Sequence, residues 1–152
     1  MSVTPIDQPR VRRLLETLPQ RPAADDSDQA ENVADGYRVF QVERELVHLG
    51  QRALPALRAA LNDARGLRRR AIVNALSHYA CAEDVPLFLE VLRDRDADQR
   101  TRAVSFLGQF HSDEANQAIS RATRDPSPQV RAEAVRALAD HQEVLSAQRR
   151  WE

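Results

Sequence analysis

An aspartate followed six residues later by an arginine occurs three times in the chain, each time at the start of an apolar segment. The pairs are Asp63 with Arg69, Asp94 with Arg100, and Asp125 with Arg131. A carboxylate and a guanidinium at this spacing could form a catalytic couple, an anion-binding site or a structural ion pair. Catalytic pairs do not recur at a fixed interval, whereas repeat proteins keep such residues to join neighbouring repeats. We therefore predict that these residues form a structural ladder.

Histidine and cysteine are the other residue types that could support catalysis or metal binding. The chain has four histidines at nearly regular intervals: His48, His78, His111 and His141. No two are three or four residues apart, the spacing at which one helix face can hold a metal ion. Cys81 is the only cysteine, and a single thiol in a turn is not by itself an activated nucleophile. We predict no catalytic residue, no metal and no cofactor, and hence a non-enzymatic protein.

The charge pattern argues against nucleic acid as a partner. All 22 basic residues are arginine and the formal net charge is −1, so no overall field draws the chain to phosphate. The one basic cluster is GLRRR, residues 66–70. Arg69 belongs to the predicted ladder, which leaves Arg68 and Arg70 to be solvated or to contact phosphate. We expect no nucleic-acid partner.

The ladder recurs because the sequence repeats itself every 31 residues without a gap. Val73, Val104 and Val135 share one position of the repeat, and Leu76, Leu107 and Leu138 share another. Each repeat has two apolar stripes at helical spacing, joined by a short turn containing Asp, Ser, Gly or Pro. No alternating β pattern occurs, so the predicted fold class is all-α. Because one helical pair cannot bury its own stripe, we predict a right-handed α-solenoid of stacked antiparallel pairs.

The repeats divide the chain into a central array and two ends. The array has three repeats, at about residues 51–79, 82–110 and 113–141. Residues 1–50 are predicted to form capping helices with an acidic, proline-containing loop at about 19–29. Residues 142–152 are predicted to form a C-terminal cap, a separate final helix in which Val144 and Leu145 pack inward.

The repeat resembles the HEAT repeat. Its pattern is a proline in the first helix, an aspartate eight residues later and an arginine six residues beyond that. The chain matches with Pro55, Asp63 and Arg69, and again with Pro86, Asp94 and Arg100, whereas the third repeat has Gln117 in place of the proline. The alanine-rich VRAEAVRALAD is most similar to the short HEAT repeats of phycobilin-lyase-type proteins. The resemblance implies a solenoid that binds another protein.

We predict that the partner protein binds the surface formed by the second helices of the repeats. Opposite the apolar stripe, Ala71, Arg102 and Glu133 share one position that is expected to be exposed. The candidate contacts are Asn74, His78, Arg102, Ser105, Gln109, Arg136 and Asp140. Phe106 is expected to pack between repeats, with a contact role as the alternative. Two other functions remain open: a chromophore-handling protein similar to phycobilin lyases, and a HEAT-like nucleic-acid-binding module.

The chain carries no recognisable targeting or membrane segment. Its N-terminal residues lack the apolar core of a signal peptide, and no stretch approaches the length that crosses a bilayer. We therefore predict a cytoplasmic protein without a membrane partner.

Overall fold

The computed structural model describes residues 7–19, 29–79 and 81–150, and every regular element in these ranges is helical. Because no strand occurs in the described ranges, the predicted all-α fold of paired helices is confirmed. The helices belong to two compact units, unit 1 (Met1–Ala80) and unit 2 (Cys81–Glu152). Most of the predicted acidic loop, residues 20–28, lies outside the described residues.

The described part of unit 1 contains four α-helices and one 3-10 turn. The helices are α1 (Asp7–Glu16), α2 (Gln29–Leu49), α3 (Leu54–Leu61) and α4 (Gly66–Tyr79), and the turn Gly50–Ala53 joins α2 to α3. Gly50 has a φ of 64°, the left-handed conformation that glycine adopts without strain where a helix ends. α1 packs against α2 and α3, and both α2 and α3 pack against α4.

Unit 2 contains the other four α-helices. They are α5 (Val85–Val91), α6 (Ala97–Leu107), α7 (Asp113–Ala122) and α8 (Pro128–Arg149), and the 3-10 turn Ala82–Asp84 precedes α5. Side chains cap two of these helices: Asp96 accepts a hydrogen bond from the Asp98 amide at the start of α6, and Ser112 accepts one from the Ala115 amide at the start of α7. Such caps satisfy amides that have no partner within the helix. α6 packs against α5, α7 and α8.

The core of unit 2 combines an aromatic pair with a very close helix approach. The rings of Phe88 and Phe106 stack with centroids 3.7 Å apart, and Phe110 lies tilted against Phe106. Phe106 is buried and stacks on the first helix of its own repeat, and its packing between repeats stays a prediction. Beside it, a methyl group added at Gly108 would lie 2.9 Å from the β-carbon of Ala137. The absence of a side chain at Gly108 therefore sets the distance between α6 and α8.

The C-terminal end of unit 2 differs from the prediction. The expected separate final helix does not form, because α8 continues unbroken to Arg149 and residues 141–149 include no glycine or proline to end it. Val144 and Leu145 were expected to pack inward, but they are 38% and 39% exposed. No helix follows α8 in the described chain to cover them.

Two further positions were assigned to the wrong environment by their place in the repeat. Val135 is 59% exposed, although its equivalent Val104 on α6 is fully buried, because α8 packs against α6 and no helix follows α8 in the described chain. Ala71 was expected on the exposed face beside Arg102 but is fully buried. Its small side chain allows the close packing that the longer residues at this position prevent.

Candidate functional site

The second helices of unit 2, α6 and α8, present a row of polar side chains. This polar row comprises Ser105, Gln109, Glu133, Arg136 and Asp140, and it has mixed charge. Ser105 donates a hydrogen bond from α6 to Glu133 on α8, so the two helices contribute to one continuous surface. Hydrogen bonds link Ser105, Glu133, Arg136 and Asp140 within unit 2, and Gln109 lies two residues beyond the end of α6.

Arg136 is the centre of the polar row. Its Nε donates to Glu133 at 3.0 Å and its Nη1 donates to Asp140 at 2.9 Å, while Nη2 donates to the other oxygen of Glu133. These hydrogen bonds lower the pKa of Glu133, whose burial acts in the opposite direction, and raise the pKa of Arg136. The Arg136 side chain nevertheless remains 56% exposed. The result is a cation held in a fixed orientation by two carboxylates and open to solvent on one side.

The other predicted contact residues lie in less open or separate surroundings. Arg102 is half-buried and already interacts with other groups of the protein. In unit 1, Asn74 is half-buried and its backbone carbonyl accepts a hydrogen bond from the Ser77 hydroxyl at 2.7 Å, whereas His78 is exposed. Of the seven predicted contacts, Ser105, Arg136 and Asp140 are therefore the ones linked by hydrogen bonds in the polar row, while Gln109 is exposed just beyond α6.

The ladder residues make two kinds of contact in unit 2. Nη1 of Arg100 donates to the backbone carbonyls of Asp94 and Arg95, and Nη1 of Arg131 donates to those of Asp125 and Pro126, all within 2.9–3.0 Å. In addition, Nε and Nη2 of Arg100 each donate to one carboxylate oxygen of Asp125 at 2.9 Å. This bidentate pair joins the second repeat to the third.

The carboxylates of Asp94 and Asp125 also shape the turns between helices. Asp94 accepts a hydrogen bond from the Asp96 amide at 3.0 Å, and Asp125 accepts one from the Ser127 amide at 2.8 Å. These side-chain to backbone bonds fix the turn before the next helix begins. Asp63, at the equivalent position of the first repeat, is exposed and makes no hydrogen bond or ion pair in the described structure.

The basic cluster at residues 66–70 is engaged with the protein. Nε of Arg68 donates to the backbone carbonyl of Leu18 at 2.7 Å, just beyond α1, and Arg69 donates to the carbonyl of Leu61. Arg70 is half-buried and interacts with other groups of the protein. The expectation that Arg68 is simply solvated or contacts phosphate was therefore wrong, because its guanidinium satisfies carbonyl groups at the end of a helix.

Arg68 also borders a cleft of about 420 Å³ in unit 1. The cleft lies among α1, α3 and α4, and its walls combine small apolar residues with four charged ones: Arg12, Glu16, Asp63 and Arg68. The two positive and two negative side chains balance, so the cleft has no preference for a ligand of one charge.

A histidine pair in unit 2 escaped the sequence analysis. The Nδ1 atoms of His111 and His141 lie 2.7 Å apart and the rings are stacked, while Nε2 of His141 lies 3.2 Å from the amide nitrogen of Asn116. Metal-ligand spacing along one helix does not detect residues that meet from two different elements. The signal that could have revealed the pair is the 31-residue period, because residues about one period apart lie in neighbouring repeats.

Neither this pair nor Cys81 forms a larger reactive group. No cluster of three or more potential metal ligands occurs among residues 7–19, 29–79 and 81–150. Cys81 is exposed, and its amide and thiol both lie near the carboxylate of Asp84, at 3.0 and 3.7 Å. This contact caps the 3-10 turn that starts at Ala82.

Comparison with known proteins places unit 2 in a repeat family. Residues 85–149 match a family model described as HEAT repeats, and these residues run from the first residue of α5 to the last residue of α8. No curated protein and no solved structure matches the chain significantly. None of the helices in the described ranges is both long and apolar enough to cross a membrane. The narrower resemblance to phycobilin-lyase-type repeats stays a prediction, but the paired helices of unit 2 and the match to their sequence identify residues 85–149 as HEAT repeats.

Proposed function

We propose that this chain is a non-enzymatic scaffold that binds another protein through the polar row on α6 and α8. HEAT repeats commonly mediate protein–protein interaction, which gives the class of function. The observation that supports this particular surface is the orientation of Arg136 between Glu133 and Asp140. Arginine fixed before binding loses little side-chain freedom in a complex, and arginine is among the residues that contribute most to protein interfaces.

The chemistry of the polar row favours a peptide surface over a phosphate backbone. Arg136 is accompanied by the carboxylates of Glu133 and Asp140, so the row has a net negative charge and repels polyanions. Two of the five N–H groups of Arg136 are not used by these carboxylates. They can donate to backbone carbonyls of a partner, while Ser105 and Gln109 add neutral hydrogen-bonding groups nearby. A polar helix or loop of another protein matches this arrangement.

The test is a pull-down with tagged full-length chain from nuclease-treated lysate of the source organism, followed by mass spectrometry. Arg136→Glu places a third acidic side chain between Glu133 and Asp140 and should reduce the recovery of specific partners by about tenfold or more. Arg121→Glu, at an exposed position on α7, is the matched control and should retain them. Circular dichroism melts verify that both variants are folded, since Arg136→Glu removes the cation beside Glu133, whose side chain is only 17% exposed.

Equal recovery with wild type and Arg136→Glu would place the binding surface elsewhere. Loss of partners with both variants would instead indicate a non-specific effect of charge. Reversal of Arg102 is less informative, because this residue is half-buried and interacts within the protein, so its substitution also perturbs the fold.

A further inference from the structure

The 31-residue register extends into the N-terminal helices. Arg38 precedes Arg69 by 31 residues, and Val42 likewise precedes Val73. The helix α2 thus occupies the place of a second helix, as α4, α6 and α8 do in the following repeats. In unit 1, α2 packs against α4, and in unit 2, α6 packs against α8. Each unit therefore contains the same contact between successive second helices.

Within each unit, one face of the earlier second helix is directed toward the repeat that follows, since α2 packs against α4 and α6 against α8. The valine of this face is 5% exposed or less at Val42 of α2 and Val104 of α6, but the equivalent Val135 of α8 is 59% exposed. Leu138, one turn later, is half-buried although its equivalent Leu107 is fully buried. The last second helix therefore presents an apolar face of the kind that is covered in the earlier repeats.

The same end of unit 2 has an arginine with unused donors. Arg100 uses Nε and Nη2 to bind Asp125 of the following repeat. Arg131 retains the equivalent Nη1 bonds to turn carbonyls, but its Nε and Nη2 have no acceptor among the described residues. The polar and the apolar parts of the repeat contact are thus both unsatisfied at this end.

Within each unit, the opposite face of the later second helix is directed toward the preceding repeat, as two contacts establish. Arg68 on α4 donates to the carbonyl of Leu18, near the end of α1, and Glu133 on α8 accepts from Ser105 on α6. On α2, the positions equivalent to Arg68 and Glu133 are Tyr37 and Phe40. No second helix precedes α2 in the described chain, and these two aromatic side chains are 63% and 59% exposed.

We propose that the chain self-associates head to tail, with Val135 and Leu138 of one copy packed against Tyr37 and Phe40 of a second copy. The argument for a second copy as the occupant is continuity with the contact that each unit already contains. A face that meets the following repeat and a face that meets the preceding repeat are complementary within the chain, and each is left apolar and exposed once. Large aromatic side chains at the centre of a contact contribute most to its affinity. The contact is heterologous, since the two copies contribute different surfaces.

The experiment is sedimentation equilibrium of the full-length chain from micromolar to millimolar concentration. The wild-type mass should rise with concentration above that of the monomer. Val135→Asp and the double variant Tyr37→Ser/Phe40→Ser should each weaken association by about tenfold or more, because each places polar groups in an apolar contact. Val144→Asp is the matched control, since it introduces the same charge at another exposed valine of α8 and should associate like the wild type.

Mixing the two association-defective variants provides the decisive measurement. The mixture is measured at a concentration where either variant alone is monomeric. Because each variant retains one intact face, an equimolar mixture should then form a dimer and no larger species. Circular dichroism melts verify that the variants are folded, and Val135→Ser replaces Val135→Asp if the charged variant is destabilised. Arg136→Glu should leave the sedimentation profile unchanged, which separates this proposal from the one for the polar row.

Three results would overturn the proposal. The first is a wild-type chain that remains monomeric at millimolar concentration. The second is loss of association with Val135→Asp but not with Tyr37→Ser/Phe40→Ser, which would indicate a symmetric contact between two copies of α8. The third is equal loss with Val144→Asp, which would indicate non-specific association of exposed apolar residues.

Discussion

The same arginine–aspartate pair occurs at equivalent positions of the two units and forms in only one of them. In unit 2, Arg100 and Asp125 are 25 residues apart in sequence, bind through two hydrogen bonds, and are only 14% and 12% exposed. In unit 1, the equivalent residues are Arg38 and Asp63. The Arg38 side chain is 61% exposed and lies 3.9 Å from Asp35, and Asp63 has no partner in the described structure. Equal residue types at equal spacing are therefore not sufficient for the contact.

The difference lies in the turns between the helices. Asp125 is oriented by the amide of Ser127, a residue that lies between two prolines that restrict the turn. In unit 1 the turn ends at Gly66, whose φ of 53° is left-handed, and Arg65 donates to the turn carbonyls of Asn62 and Ala64. The turn of unit 1 thus has a different backbone and is satisfied by a different side chain. We infer that an ion pair between repeats forms only where the turn holds the carboxylate in position to accept from the arginine.

The largest expected effect is that of removing the arginine of the formed pair. Arg100→Ala leaves the largely buried carboxylate of Asp125 without its cation, and we expect it to lower the free energy of unfolding by about 2–3 kcal/mol. Arg38→Ala, the matched variant in unit 1, should cost less than about 0.5 kcal/mol because the Arg38 side chain is largely exposed and lies 3.9 Å from Asp35. Urea unfolding followed by circular dichroism measures both. Hydrogen exchange should show the loss of protection for Arg100→Ala in α6 and α8.

Similar costs for these two variants would contradict the contrast drawn between the units. Such a result would mean that the exposed Arg38 contributes to stability through a contact that its distance to Asp35 does not suggest. A small cost for Arg100→Ala alone would mean that water replaces the guanidinium beside Asp125 without penalty.

A smaller effect is expected from glycine substitutions, and it should have opposite signs in the two units. Gly108→Ala forces α6 and α8 apart, because the added methyl group meets Ala137, and should destabilise the chain by about 1–2 kcal/mol. Gly36→Ala lies in α2 with nothing near its added methyl group, and should stabilise it by about 0.5–1 kcal/mol through helix propensity. Thermal melts give both signs. Adding Ala137→Gly should recover part of the loss at Gly108 by restoring space.

The smallest expected effect is on the pH dependence of stability. The hydrogen bonds from Arg100 lower the pKa of Asp125 from its ordinary value of 3.8, against the opposing effect of burial. A carboxyl group whose pKa is lower in the folded state stabilises the fold above its unfolded pKa and loses this contribution as pH falls through the folded value. The stability difference between wild type and Asp125→Asn should therefore be constant near neutral pH and decrease below about pH 4. Urea unfolding at several pH values measures it.

The control for this pH effect is the same substitution in a chain that lacks the guanidinium. Arg100→Ala removes the main cause of the lowered pKa of Asp125. The stability difference between Arg100→Ala and Arg100→Ala/Asp125→Asn should therefore vary less with pH below about pH 4 than the difference measured in the wild-type background. An unchanged pH dependence would assign the lowered pKa of Asp125 to another cause, of which the hydrogen bond from the Ser127 amide is the first candidate.

Because the sequence repeats, the burial of some residues could be predicted from their position in the repeat. The fully buried environments of Val73, Val104, Leu76 and Leu107 follow from the helical spacing of apolar residues, which does not depend on distant parts of the chain. The same reasoning is wrong for Val135, because burial depends on whether a neighbouring helix covers the residue. The same reasoning also did not find the His111–His141 contact, because His111 lies just before α7 and His141 lies on α8, so the contact does not follow from spacing along one helix.

The amino-acid sequence by itself determined the helical pairs, the period and the positions of the ladder, because periodicity and capping act over a few residues. It also indicated the polar row, since the register aligns the exposed positions of α6 and α8. Only the tertiary structure decided which arginine meets an aspartate, which face of α8 stays open and how Arg136 is held. These outcomes depend on turn geometry and on the presence of a neighbouring helix. Both are set by other parts of the chain, so the residue type at one position does not reveal them.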